Sequence, residues 1–569
     1  MRPGSGRWRA AAVVLVAFEA GSVAPRAATP PASGEGRLSR PEPIAGGLGN
    51  PPGVPIRSEV VALREAALAA VARARAKLGT AGGKAGAAED PRQILREISL
   101  PSIERLIEDA DLRAAHVTVP ARDGDFVRQS LETARAFADR VAAGEDPYRT
   151  ATGEVVKAYR ADWDGSLQPY ALYVPLGYDP HRSWPLVVAL HGAFSDHRHN
   201  LRRVFGLDNR PGETDAEASR NALPLPDVPA LVVSPFGRGE MMGYDGLGGE
   251  DVMRVLADVR RAYHIDPDRI TLTGMSMGGG GTWQIGLRHP ELFAALAPVC
   301  AISDYRRMIR PADAALYDLA RLDALSPPAI AENAAHMQIL IFHGDKDPTV
   351  PVADSRRMVE RFRALGWLGK NVRYTEFPGV GHAAWVPAYK GAALLRTLAS
   401  IKRDPAAPKT AAPPPPAGEA IPDLAGKSVP REHPHLYVYG TNGPPDAVAA
   451  ARALAAALAD WGPMVAAHFL VKADREVTPE DRARFNLVLI GAAPFNSLAR
   501  ELPVSWPDAH PLGDRAYRAV VPDRGSPSGF ALIFGALTPP GFARLRRFAH
   551  FNRDAWAPES NRRFVLLAN

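Results

Sequence analysis

Cysteine is almost missing from this chain: Cys300 is the only one in 569 residues, so no internal disulfide framework can hold the fold. An apolar core must hold it instead, and 46% hydrophobic residues is enough for a sizeable one, spread over roughly two to four domains. Excess charge of one sign is also lacking. The 68 Lys and Arg against 62 Asp and Glu leave a formal +6, with no basic block able to track a nucleic-acid backbone, so no nucleic-acid partner is expected. The apolar run Ala10–Phe18 is too short to span a bilayer, and no stable membrane insertion is expected. Phosphate-binding loops are absent as well. Gly278–Gly281 lacks a following Lys-Ser/Thr, and Gly440-Thr441-Asn442-Gly443 lacks the full dinucleotide spacing, so neither implies a nucleotide cofactor.

What is present centres on Gly274-Met275-Ser276-Met277-Gly278, which follows the strand-like Arg269–Thr273 and opens an apolar helical segment. A serine on such a sharp strand-to-helix turn has its hydroxyl pushed into the open, and the flanking glycines avoid collision with the neighbouring helix and strand. The next backbone NH, that of Met277, is then aimed at a developing oxyanion. A serine hydroxyl is a weak nucleophile on its own and needs a base. Downstream, Ile339–Phe342 reads as an apolar strand running into His343-Gly344-Asp345-Lys346-Asp347, and Phe377–Gly381 leads to His382 on a glycine-flanked loop. The order serine, acid, histidine suits a triad in which Ser276 attacks, His382 takes its proton, and Asp345 or Asp347 orients the imidazole.

A second oxyanion donor is expected after the buried strand Pro185–Leu190, where the turn His191-Gly192 brings up the NH of Ala193. His191 and His343 each end an apolar strand beside a glycine and read as structural hydrogen-bonding groups, while His264 and His289 read as surface or capping groups. Phe194, Phe236, Tyr244 and Trp385 lie on loops bordering these positions and are candidates for lining a substrate pocket. Arg238, between two glycines, reads as a solvated loop arginine.

From about Gly153 to Lys402 the chain resembles the secreted esterase branch of the α/β-hydrolases, which includes polyhydroxybutyrate depolymerase-like and feruloyl or acetylxylan esterase-like enzymes and is related to prolyl-oligopeptidase-type catalytic domains. The resemblance rests on Gln168–Pro175, Leu190-His191-Gly192, Gly249–Val252, Ile265–Ile270 and the elbow continuing into Trp283. It implies a metal- and cofactor-independent serine esterase that hydrolyses carboxylic esters through an acyl-enzyme, with polymeric or carbohydrate-linked esters among its substrate candidates. The family spacing Gly-x-x-Asp-x-x-Val-Pro fits Gly344, Asp347, Val350 and Pro351, and so favours Asp347 over Asp345 as the acid. A prolyl-oligopeptidase-like peptidase shares the triad and is the alternative. A silent hydrolase-fold binding protein is a second, against which the intact triad residues argue.

Strands alternating with amphipathic helices predict an α/β fold with a doubly wound, mainly parallel sheet across residues 149–402. Arg2, Arg7 and Arg9 ahead of Ala10–Phe18 read as a secretory signal over residues 1–28, placing the mature protein outside the cell or in the periplasm. Residues 29–55 read as a linker without fixed structure, 56–148 as a helical region, 403–432 as a Pro- and Ala-rich connector, and 433–569 as a small α/β accessory domain.

Overall fold

The computed structural model describes residues 58–567 except 80–89, 116–119, 221–223, 245, 307–322, 325, 405–432, 462–464, 503–511, 528 and 547–563. The expected signal (1–28), the linker 29–55 and nearly all of the connector 403–432 lie outside the described residues.

The central sheet contains β1 (Gly153–Arg160), β2 (Leu167–Val174), β3 (Trp184–Leu190), β4 (Leu231–Pro235), β5 (Ile265–Met275), β6 (Ala295–Val299), β7 (Gln338–Gly344) and β8 (Val372–Phe377). Their order is β1-β2-β4-β3-β5-β6-β7-β8. Only β2 runs against its neighbours, pairing antiparallel with β1 and β4, while β4 through β8 are parallel. Every residue of β3 and β6 is buried, which explains why these strands read as unbroken apolar runs. Helices Leu247–Ala262 and Met277–Arg288 connect consecutive parallel strands and cover the sheet. All the parallel strands end on the same edge, and the loops there are where a ligand is met in such folds.

The helical region expected at 56–148 contains Ser58–Leu78, Leu100–Ala115 and Pro120–Ala142. From Pro91 to Ala115 the helix is interrupted, running as Pro91–Ile94, a π-turn Leu95–Ser99 and the Leu100–Ala115 helix. Asp90 caps its start by accepting from the Arg92 NH, and the wide turn precedes Pro101, which has no NH to give. This region docks on the edge of the sheet, where the Ser102 hydroxyl donates to the Ala158 carbonyl (3.2 Å) and the Ala158 NH donates back to it (3.1 Å).

A second sheet lies beyond the connector: β9 (His435–Tyr439), β10 (Leu470–Ala473), β11 (Asn486–Ile490), β12 (Ala516–Pro522), β13 (Phe530–Gly535) and β14 (Phe564–Leu567), in the order β10-β9-β11-β13-β12-β14. Its first four positions are parallel, and helix Pro445–Ala459 packs Leu454 and Leu458 against Tyr437 and Trp461. Among the described residues no helix is long and apolar enough to cross a membrane.

Candidate active site

Of the five described non-glycine residues with positive φ, four stand directly beyond the ends of adjacent parallel strands: Phe194 (61°) after β3, Arg238 (63°) after β4, Ser276 (56°) after β5 and Cys300 (41°) after β6. Such conformations persist only where the surroundings over-determine them, and they gather at functional sites. Ser276 has ψ −115° and precedes helix Met277–Arg288. Its NH donates to the Val299 carbonyl at 2.9 Å, which ties the elbow to β6. A side chain at Gly274 would strike the carbonyl of Gly278, and one at Gly278 would strike the carbonyls of Leu190 and His191. The glycines therefore let the elbow seat against the end of β3.

The imidazole of His382 joins two residues far away in sequence. Its Nε2 is 2.9 Å from the Ser276 hydroxyl and its Nδ1 is 2.7 Å from Asp347 Oδ2. The Asp347 side chain is buried, and its Oδ1 accepts from the NH groups of Thr349 (2.8 Å) and Val350 (2.9 Å). Burial alone would raise this carboxyl, but hydrogen bonds from His343, His382 and the Val350 backbone outweigh it and hold Asp347 well below the usual carboxylate range. The rival acid faces elsewhere: Asp345 accepts from the Gly379 NH at 2.6 Å. His343, read from sequence as structural, lies with Nε2 3.2 Å from Asp347 Oδ2 and Nδ1 2.7 Å from Ser355. Sequence reasoning missed this second imidazole on the acid, although its place at the end of β7, four residues before Asp347, was a signal.

The turn after β3 lies against Ser276. A Cβ added to Gly192 would sit 3.6 Å from the Ser276 Cβ. The Phe194 NH donates to the Glu240 carbonyl (3.1 Å), which leaves the preceding NH, of Ala193, as this turn's candidate oxyanion donor. Met277, at the first position of its helix, has an NH with no carbonyl one turn back to receive it. His191 has its ring nitrogens 2.7 Å from the Gly192 carbonyl and 2.9 Å from the Phe236 carbonyl, a structural role as its position after β3 suggested.

The pocket candidates divide. Trp385 is half-buried and stands edge-on to His382, with ring centroids 5.3 Å apart at 88°. Phe194 is half-buried on the strained turn. Tyr244 does not line a pocket. It is 4% exposed, its hydroxyl accepts from the His191 NH at 2.9 Å, and its ring fills the space left by Gly237 and Gly281, so it supports the turn from beneath. Arg238 also corrects its sequence reading: it is 4% exposed and paired with the buried Asp164 at 3.1 Å, because Trp163 and the C-terminal domain cover it.

Cys300 is buried, and its sulfur lies with an oxygen of Asp347 and a nitrogen of His382 within 4.8 Å of one another. Burial pushes the thiol well above its usual value, and the other two groups are engaged with each other, so this donor set suits a hydrogen-bonded triad better than a metal ion.

Residues 248–403 match the prolyl oligopeptidase family. The chain is similar to the uncharacterized peptidase YuxL of Bacillus subtilis (strain 168), with 29% identity over 153 residues, 24% of this chain and 22% of that protein. It is also similar to acyl-protein thioesterase 1 of Gibberella zeae, with 26% identity over 124 residues, 21% of this chain and 43% of that one. The chain thus spans less than half the length of either relative. A solved thermostable esterase is 26% identical, covering 44% of this chain and 63% of its own at a TM-score of 0.32. The family match falls within the stretch that carries the motif resemblance, apart from its last residue, and the eight-stranded sheet there has the α/β-hydrolase fold.

Proposed function

We propose that this protein is a secreted serine esterase that hydrolyses carboxylic esters through an acyl-enzyme. The observation that carries the reading is the chain of two hydrogen bonds from Asp347 through His382 to Ser276, at 2.7 and 2.9 Å. His382 Nε2 takes the proton as Ser276 Oγ attacks the ester carbonyl, and the NH groups of Ala193 and Met277 hold the oxyanion. The tetrahedral species collapses, His382 gives its proton to the leaving alcohol, and an acyl-Ser276 remains. Water then repeats the sequence, with His382 as base and Ser276 as leaving group, and releases the acid. Trp385 and Phe194 would border the acyl or alcohol group.

The match to the prolyl oligopeptidase family supports a second reading, a peptidase using the same residues. Purified protein should turn over nitrophenyl acyl esters and leave chromogenic peptides intact; peptide cleavage at comparable rates would favour the peptidase. A fluorophosphonate should label the wild type and not Ser276→Ala, and an unlabelled wild type would sink both readings in favour of a silent binding protein.

A further inference from the structure

The turn bearing Ala193 is not self-supporting. Its conformation is fixed by the loop after β4 at three points: the Phe236 carbonyl 2.9 Å from the His191 ring, the Glu240 carbonyl accepting from the Phe194 NH at 3.1 Å, and the Tyr244 hydroxyl accepting from the His191 NH at 2.9 Å. That loop is in turn gripped from its other side by the β1–β2 turn, which holds the Arg238 side chain, and by the C-terminal domain, which binds the Arg238 carbonyl and that same turn. Arg238, in a strained conformation at its tip, donates to Asp164 Oδ2 (3.1 Å) and the Ser166 hydroxyl (3.2 Å), with its guanidinium 4.7 Å above the Trp163 ring. Its carbonyl accepts from the Ala466 NH at 2.7 Å. The same C-terminal segment accepts from Gln168 at the Ala466 carbonyl (2.8 Å), donates from the His468 NH to Asp164 (3.1 Å) and stacks Phe469 on Trp163 (5.4 Å, 27°). Met242 and Leu247, further along the loop, share an apolar core with Trp461 and Phe469.

We propose that the C-terminal domain buttresses the oxyanion turn of the hydrolase domain, with Arg238 as the positioning residue through which docking is transmitted. A loop held in an unfavourable backbone conformation relaxes unless its surroundings fix it, and here one face of the clamp comes from the far end of the chain. The proposal rests on the reading of Ala193 as an oxyanion donor for its effect on turnover, but not for its structural effect. A donor displaced by about 1 Å loses on the order of 10²-fold in rate, because its hydrogen bond is made to the transition state rather than to the bound ester.

The test uses the full chain. In Arg238→Ala, amide hydrogen exchange across residues 191–196 should rise at least about ten-fold while amides of Thr271–Met275 in β5 stay protected, since the hydrogen bonds that break are local to the clamp. On nitrophenyl esters kcat should fall roughly 10- to 100-fold with KM within about three-fold, the split expected of a transition-state interaction. Arg238→Lys, which keeps a cation on Asp164, should recover most of both effects, and Trp163→Leu, which removes the stacking on Phe469, should reproduce them. Unchanged exchange at 191–196 in Arg238→Ala and Trp163→Leu would overturn the proposal. So would a drop in turnover driven by KM alone. If exchange responds but the wild type turns over no ester, the buttress stands and the esterase reading falls.

Discussion

Replacing Asp347 by asparagine changes one atom, yet the site leaves the new amide no choice of orientation. Oδ1 accepts from two backbone NH groups, of Thr349 and Val350 at 2.8 and 2.9 Å, and an NH2 group cannot face two fixed donors. The amide oxygen must therefore take that place and turn the NH2 toward His382 Nδ1, 2.7 Å away. Nδ1 then has to accept, so the ring proton moves to Nε2, the atom 2.9 Å from the Ser276 hydroxyl, which can no longer take the serine proton. The expected loss is about 10⁴-fold in kcat, or ~5.5 kcal/mol of barrier, with KM near the wild-type value. Asp345→Asn should stay within about three-fold, because a neutral amide oxygen still serves the one Gly379 NH. Stability gives an independent reading. A carboxyl held low in the fold adds stability that is complete above the ordinary value near ~3.9 and is lost as pH falls toward the folded value, so the gap between wild type and Asp347→Asn in urea unfolding should narrow below about pH 4. Stopped-time assays on a nitrophenyl ester and urea melts at several pH values decide the matter. If Asp347→Asn keeps more than a tenth of wild-type kcat, or Asp345→Asn falls further, the acid is wrongly assigned.

The glycine run offers a matched pair. At Gly278 an added methyl meets the Leu190 carbonyl and, at 2.7 Å, the His191 carbonyl, whereas at Gly280 the nearest atom is 3.6 Å away. Gly278→Ala should cost about 1–3 kcal/mol of stability and lower turnover by pushing the elbow off the oxyanion turn, while Gly280→Ala should melt no lower than wild type; thermal melts and ester assays that fail to separate the two would refute this packing account. Lys157 is fully buried, its ammonium has no hydrogen-bond partner, and the rings of Tyr148 and Tyr263 lie 4.9 and 5.1 Å from it. Burial lowers its pKa, so the folded state disfavours the charged amine and stability should climb as pH rises toward the unfolded value near ~10.4. Lys157→Met should raise stability at pH 7 by about 1–3 kcal/mol with turnover unchanged, and the gain should shrink in alkaline buffer; a destabilised variant would mean the aromatic cage more than compensates the charge.

What the sequence revealed and what it hid follow the range of the interactions. The elbow, the His-Gly turn and the His382 loop were legible because each is a strand end whose glycines and reactive residue are adjacent in sequence, and the sheet followed from apolar runs that are buried along their whole length. Spacing also separated Asp347 from Asp345, although only the structure shows the reason, a loop that turns one carboxylate to an imidazole and the other to a backbone NH. Arg238 and Tyr244 were misread for one shared physical cause. A charged or aromatic residue among glycines looks like a surface loop when its cover is not nearby, and here Asp164 lies 74 residues away, the ring of Tyr244 slots beneath Gly281, and Phe469 arrives from a separate domain. In the C-terminal domain β10 and β14 are only four residues long and β12 carries arginine and proline, so pairing with neighbours rather than local pattern makes them strands. The residues proposed to make and break bonds are thus written locally, whereas those that fix the proposed oxyanion turn are written across the chain. Substitutions where the two domains meet should accordingly change turnover without touching any residue that sequence motifs mark as reactive.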